Sequence, residues 1–261
     1  MTRIKGSHVL ITGGSEGIGL AVAAGALRRG ARVSILARNE DKLAVARARL
    51  GVDVVTASCD VTRTDELWAA IDAVRARHGD CDIVVSAAGG AEPGHFLELD
   101  AETFRRQIDL NYLGVVDTIR AVLPSMVRRG RGHLVVVSSV AGLFGVLGYG
   151  AYAPTKFAVR GLAETLDAEF RHRGVRVSIA YPPDTRTPGF ERENQTKPEE
   201  TQRISAGIAA VSPDQVATAI LEGIRRNRFL ITVDPQTAAI ARITDLAGPI
   251  LRTIMRRHVQ G

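Results

Sequence analysis

Seven short runs rich in β-branched and apolar residues recur along the chain: HVLIT at 8–12, ARVSILA at 31–37, VDVVTAS at 52–58, CDIVVSA at 81–87, HLVVVSS at 133–139, VRVSIAY at 175–181 and FLITV at 229–233. Segments of helical period, charged on one side, separate them. Strand and helix in regular alternation specify a parallel sheet, because parallel neighbours need a crossover between them. Strands apolar on both sides need helices over both faces, and right-handed crossovers put them there. The pattern therefore predicts an α/β chain: a Rossmann-type doubly wound parallel sheet of about seven strands with helices on both faces, in a single domain spanning residues 1–261.

One stretch breaks the alternation. Residues 181–201, YPPDTRTPGFERENQTKPEET, carry four prolines and few apolar side chains, yet follow directly on the sixth strand. In a doubly wound sheet, ligands sit in the crevice outside the carboxyl ends of the strands. Residues 182–212 are accordingly expected to form a substrate lid. A second departure closes the chain, where Ile240, Ile243, Ala247, Leu251 and Ile254 fall at helical intervals against Arg242, Arg252, Arg256 and Arg257. Pro249 should kink or restart that helix. This amphipathic segment, about 236–258, either packs on its own core or a sister subunit, or lies reversibly on an anionic membrane surface; it is too short and too charged to span one.

Composition narrows the functional classes. The chain is 45% hydrophobic and 24% charged, ordinary values for a folded domain. No apolar run approaches the ~20 residues of a membrane span, and MTRIKGSHVL holds no signal-peptide core. A cytoplasmic location is expected, with peripheral membrane association at most. The net charge of +6 comes from arginines scattered over helical stretches, with no recognition helix or stacking aromatics, so no nucleic-acid partner is expected. Cys59 and Cys81 are too few for a disulfide framework and lack metal-ligand spacing with any of the six histidines; two small buried side chains and no metal site are expected.

Two regions carry chemistry. In the first, the opening strand runs into TGGSEGIG, where Gly13, Ser15, Glu16, Gly17, Ile18 and Gly19 form a strand-to-helix turn. Its glycines let the backbone approach a pyrophosphate, which would rest on the free N–H groups of the helix that follows. Ala37 ends the second strand where an NAD-binding fold usually has an acid for the ribose hydroxyls, and Arg38 and Lys42 come next. Cations there suit a 2′-phosphate, and hence NADPH. Asp60, with Val61 beside it, is placed to contact adenine, and Gly89 lets the end of the fourth strand approach the cofactor.

In the second region Ser139 ends the fifth strand, Tyr152 follows thirteen residues later, and Lys156 stands four beyond it in YAPTK. Positions i and i+4 share a helix face. The Lys156 ammonium is thereby expected to lower the Tyr152 phenol pKa from ~10 and make it an acid-base group near neutral pH.

Together TGGSEGIG, Asn111 in NYLG, VSS before AG, and YAPTK resemble the short-chain dehydrogenase/reductase family over essentially the whole chain. The resemblance implies a catalytic tetrad of Asn111, Ser139, Tyr152 and Lys156. Tyr152 would protonate the substrate oxygen and Ser139 would hydrogen-bond it. Lys156 would hold the ribose and tune the tyrosine, and Asn111 would order a relay water. Ser138 is the neighbouring alternative, but the interval to Tyr152 favours Ser139. Pro182, Thr185 and Thr187, at the start of the lid, are expected to meet the cofactor. The family more often has asparagine at Ser86, and glycine and an aliphatic residue at Pro183 and Thr185. Within the family the lid, LARNEDKL and KFAVRGLAETLDAEF resemble the branch that reduces 3-ketodihydrosphingosine to dihydrosphingosine with NADPH. That likeness implies Glu191 and Glu193 beside an amino-alcohol head. The apolar Leu143, Phe144, Val146, Leu147 and Phe190 suit an alkyl chain, or simply pack. Another hydrophobic ketone, a steroid or a 3-oxoacyl thioester, fits the same scaffold. A non-catalytic NADPH-binding regulator is the remote alternative, and pairing into a homodimer or homotetramer is implied as well.

Overall fold

Val9 and Ile11 of β1 (His8–Thr12) point to one face of a sheet and Leu10 to the other, and all five residues of the strand are buried. That two-sided burial recurs in β2 (Arg32–Ala37), β4 (Ile83–Ser86), β5 (Gly132–Val137) and β6 (Val175–Tyr181), and is weaker in β3 (Val55–Ser58) and β7 (Leu230–Thr232), the two edges. In this computed structural model, which describes residues 1–206 and 209–242, the seven strands form one parallel sheet in the order β3-β2-β1-β4-β5-β6-β7. The order reverses between β1 and β4, which opens a crevice at the carboxyl ends of these strands.

Helices cover both faces as the alternation requires. On one lie α1 (Gly17–Arg28), α2 (Glu40–Leu50) and α9 (Pro213–Arg225), through Val22, Ala26, Leu43, Ile220 and Ile224. On the other lie α3 (Thr64–His78), α5 (Gly114–Arg129) and α6 (Ala153–Phe170), through Leu67, Ile71, Ile119, Val122, Val159 and Ala163. Between β4 and α5, α4 (Ala101–Ile108) runs into a π-helical turn at Asp109–Leu113 that carries Asn111. The strands are shorter than the apolar runs: β3 begins at Val55 and β4 at Ile83, because the first residues of each run serve as turns.

The proline-rich segment is more ordered than its polarity implied. Its ends are clipped together where Arg186 N–H donates to Val211 O and Val211 N–H to Asp184 O, both at 2.9 Å. Between the clips stand α7 (Pro188–Asn194), capped by the Thr187 hydroxyl, and α8 (Glu199–Ala206). At the other end of the chain, residues 235–242 are helical and Ile240 packs, half-buried, against the core on the α6 face. The rest of the expected amphipathic segment, with Ile243, Ala247, Pro249, Leu251, Arg252, Ile254, Arg256 and Arg257, lies outside the described residues. Among the described residues no helix is long and apolar enough to cross a membrane.

Two histidines within the sheet, His8 of β1 and His133 of β5, have no exposure at all. His8 donates from Nδ1 to the Gly79 carbonyl at 2.8 Å and its Nε2 meets Ser34 Oγ at 2.9 Å. His133 donates from Nε2 to Ser178 Oγ at 2.7 Å, since the Ser178 proton goes to the Arg228 carbonyl. Burial, above all, pushes His8 down to about 4 and His133 to about 3. A folded-state pKa below the unfolded value of ~6.5 means that the unfolded chain binds protons first as pH falls. Stability is then complete above pH ~6.5 and declines below it, by roughly 1 to 2 kcal/mol per imidazole between pH 6.5 and 5. Urea midpoints at those two pH values test this, and equal midpoints would contradict it.

Candidate active site

The turn between β1 and α1 approaches other backbone so closely that side chains are excluded. A Cβ on Gly13, whose φ is +69°, would lie 2.7 Å from Ala88 N, and one on Gly19 would lie 2.2 Å from Gly13 O. Glu16 occupies the N-cap of α1 but makes no side-chain cap, so the first N–H groups of the helix keep their capacity to donate. They face a cleft of about 280 Å³ lined by Gly13, Ser15, Glu16, Gly17, Ile18 and Gly19, and further along by Arg38, Lys42, Val61, Gly89 and Thr187. Free N–H donors, the positive end of a helix and flanking cations suit phosphate groups.

The cations of this cleft are organised by one carboxylate. Glu16 receives Lys42 Nζ at 2.6 Å and an Arg192 guanidinium nitrogen from α7. Burial works against its charge, yet these two partners hold the Glu16 carboxyl below the usual carboxylate range. Arg192 went unnoticed in the sequence, where nothing in its spacing pairs it with a residue 176 positions away. Asp60 sits beside this cleft, paired with Arg38: its Oδ1 accepts from Thr62 N–H at 2.9 Å and from the Thr62 hydroxyl at 2.8 Å, and Oδ2 lies 3.6 Å from Arg38.

A second cleft, about 290 Å³, continues from the first past Ile18, Gly89 and Thr187. Ser139, Tyr152, Lys156, Pro182 and Thr185 line it. Tyr152 is the N-cap residue of α6, and Pro154 in the first turn suits a helix start, where its missing N–H costs nothing. The Ser139 hydroxyl shares the cleft with the Tyr152 phenol and favours its charged form. Ser138 points elsewhere: its buried hydroxyl donates to the Lys156 carbonyl at 3.0 Å and ties β5 to α6. Lys156 is buried, donates to the Val137 carbonyl at 3.2 Å, and has its Nζ 5.4 Å from the Tyr152 ring centroid. Gly89 stands between Lys156 and Asn111: a Cβ there would lie 3.4 Å from Lys156 Nζ and 2.8 Å from Asn111 Oδ1. Asn111 is wholly buried and outside both clefts, its amide donating to Gly90 O and Gln107 and its Oδ1 accepting from Gly90 N–H.

The electrostatics reverse one expectation. Burial, then the Glu193 carboxylate, raises the Tyr152 phenol above its ordinary range, and the nearby Ser139 hydroxyl opposes them only in part. Lys156 does not pull the phenol down; burial instead pushes the lysine itself to about 8. The phenol is therefore protonated at neutral pH, which is the state of a proton donor. Around it Phe144, Val146 and Phe190 form apolar wall, while Asp184 and Glu193 add carboxylates. Leu143 is packed into the core, and Leu147 and the exposed Glu191 do not line the cleft.

Comparison with known proteins agrees with this arrangement. The family described as short chain dehydrogenase matches residues 7–198. The 3-ketodihydrosphingosine reductase of Bos taurus is 39% identical over 255 residues, which cover 95% of this chain and 77% of that protein. The 3-dehydrosphinganine reductase of Danio rerio is 36% identical over 256 residues, again 95% and 77%. Among solved structures, a short-chain type dehydrogenase/reductase from Mycobacterium ulcerans superposes with a TM-score of 0.80 at 32% identity, covering 89% of this chain and 90% of that one.

The neighbouring serines separate structure from chemistry. Ser138→Ala should cost about 1 kcal/mol of stability through its lost hydrogen bond. Ser139→Ala should lower turnover by about 10² with little change in melting temperature. Thermal melts and kcat measured on both variants check the division; the opposite pattern would reverse the two assignments.

Proposed function

The chain belongs to the short-chain dehydrogenase family and is an oxidoreductase of it, and we propose that it uses NADPH to reduce the ketone of a long-chain lipid, 3-ketodihydrosphingosine, to the alcohol. The observation that carries the reading is the Ser139, Tyr152 and Lys156 cluster on a cleft whose walls combine aromatic and aliphatic side chains with carboxylates. The names and similarity of the relatives support the substrate class.

Members of the family bind nicotinamide cofactors, and the residues here fit one. The glycine turn leaves backbone N–H groups bare at the start of α1, and Arg38 and Lys42 flank the same groove. Ala37, at the end of β2, offers no carboxylate to a ribose diol, and the Arg38 fork beside it matches a 2′-phosphate. When bound, the cofactor supplies the hydride that the carbonyl carbon accepts. The chain supplies the rest. Tyr152 donates the phenol proton to the carbonyl oxygen, and Ser139 hydrogen-bonds that oxygen as its charge grows. Lys156 keeps a cation beside the phenol and is positioned to hold the ribose. The Asn111 Oδ1, which has a second lone pair, is assigned the relay water. Peripheral contact with an anionic membrane, a cytoplasmic setting and pairing with copies of the same chain belong to the same proposal, since a long-chain ketone is collected most readily at a lipid surface.

A panel of 3-ketodihydrosphingosine, a steroid ketone and a 3-oxoacyl thioester, each with NADPH and with NADH, tests the reading by kcat/KM. The keto-sphingoid base with NADPH should rank first. Arg38→Ala should cut the preference for NADPH over NADH by ~10- to ~100-fold. A higher rank for another ketone would displace the substrate, and equal use of both cofactors by the unaltered enzyme would displace the assignment of Arg38.

A further inference from the structure

The cleft beside Tyr152 has a polar wall that ketone reduction alone does not require. Glu193, at the end of α7, and Asp184, just beyond β6, both line it. Glu193 is held from behind, where the Tyr149 phenol donates to its Oε1. Close by lies Lys197, with a side chain only 1% exposed. Its Nζ is 3.6 Å from Glu193 Oε1, beyond hydrogen-bond range, and finds no hydrogen-bond partner among the described residues. It rests 4.6 Å from the centroid of the Phe190 ring and 5.9 Å from that of Tyr149. A buried ammonium without hydrogen bonds is costly, and its presence here is explained by the negative charge it faces.

Asp184 and Glu193 are the two carboxylates of the cleft lining, with Lys156 its cation and Lys197 beside Glu193. Burial raises both Asp184 and Glu193 from their ordinary carboxylate range, and Lys197 offsets this only in part. An ammonium arriving beside these carboxylates would favour their charged form. Its position is constrained, because both carboxylates line the same cleft as Tyr152, and Tyr149, which donates to Glu193, has its ring centroid 5.8 Å from that of Tyr152. In a 2-amino-3-ketone the nitrogen is carried on the carbon next to the carbonyl. A substrate whose oxygen meets Tyr152 therefore brings its ammonium to the same part of the cleft.

We propose that Asp184 and Glu193 form an ammonium subsite that selects ketones bearing a cationic amine on the adjacent carbon, with Lys197 and Tyr149 positioning Glu193. Glu191, the other lid acid, is exposed and outside the cleft and has no part in it. The subsite rests on the keto-sphingoid reading, and the test keeps the two separable.

The enzyme is assayed with NADPH on three ketones of equal chain length: the free 2-amino ketone, its N-acetyl derivative and the analogue without the amine. The unaltered protein should prefer the free amine to both others by roughly 10- to 100-fold in kcat/KM, the scale of a charge-assisted hydrogen bond. Glu193→Gln and Asp184→Asn should each bring that ratio towards unity, chiefly through the KM of the amine. Because the first comparison needs only the unaltered protein, instability of a variant leaves the proposal exposed to refutation. Reduction of all three ketones with equal kcat/KM overturns the subsite and leaves the keto-lipid reading standing, as does an unchanged ratio in both folded variants. Turnover of the amine-free ketone with none of the amino ketone overturns both.

Discussion

Lys156 is a charged side chain buried at the carboxyl end of β5, an interior strand of the sheet, and burying an ammonium requires acceptors fixed in place. The Val137 carbonyl, at the end of β5, is one. A second link runs the other way, from the Ser138 hydroxyl to the Lys156 carbonyl, so the first turn of α6 is fastened to the end of β5 at two points. Much of the site's geometry follows from this joint. It sets Tyr152 at the N-cap of α6 against Ser139, and it brings Lys156 to Gly89 at the crevice where strand order reverses. The crevice itself exists because β1 and β4 send their crossovers to opposite faces. Chemistry and cofactor groove thus meet along the carboxyl ends of the strands.

The lid is built across that line of strand ends. Its base is clipped by the pairing of Asp184 and Arg186 with Val211, and its far side reaches back over the groove, where Arg192 meets Glu16 at the N-cap of α1. One segment therefore touches both clefts: Thr187 and Arg192 border the phosphate side, Phe190 and Glu193 the side of Tyr152. That dual contact answers why a proline-braced polar stretch follows a core strand. Prolines 182, 183, 188 and 198 restrict the backbone, and polar side chains are satisfied by the cleft rather than by a hydrophobic interior.

Much of this was legible in the sequence, and the parts that were not have physical reasons. Strand alternation gave the sheet because apolar runs such as VRVSIAY have no stable placement other than between two helical layers. The interval of four between Tyr152 and Lys156 placed both at one end of α6, and the interval to Tyr152 pointed to Ser139 over Ser138, whose hydroxyl donates to the Lys156 carbonyl. Spacing says nothing, however, about long-range partners. Asp60 was read from its place after a strand, and that reading did not include the Thr62 turn and the Arg38 guanidinium that hold its carboxylate. Glu16 with Arg192, and Glu193 with Tyr149 and Lys197, are set by how the lid folds across the sheet, which no local pattern encodes. The Tyr152 phenol was expected to be lowered by Lys156; burial, which a sequence does not reveal, acts first and in the opposite direction on both residues.

The central claim is that a protonated Tyr152, kept so by its buried setting, is the group that delivers the proton to the ketone oxygen. Replacing it by phenylalanine removes the donor and retains the ring. Single-turnover oxidation of bound NADPH by the keto-sphingoid substrate, followed by nicotinamide fluorescence in Tyr152→Phe and the unaltered enzyme, measures that step directly. The account predicts unimpaired NADPH binding and a rate lowered by at least ~10² to 10³. A Tyr152→Phe enzyme that binds NADPH and turns over at a near-normal rate would contradict it.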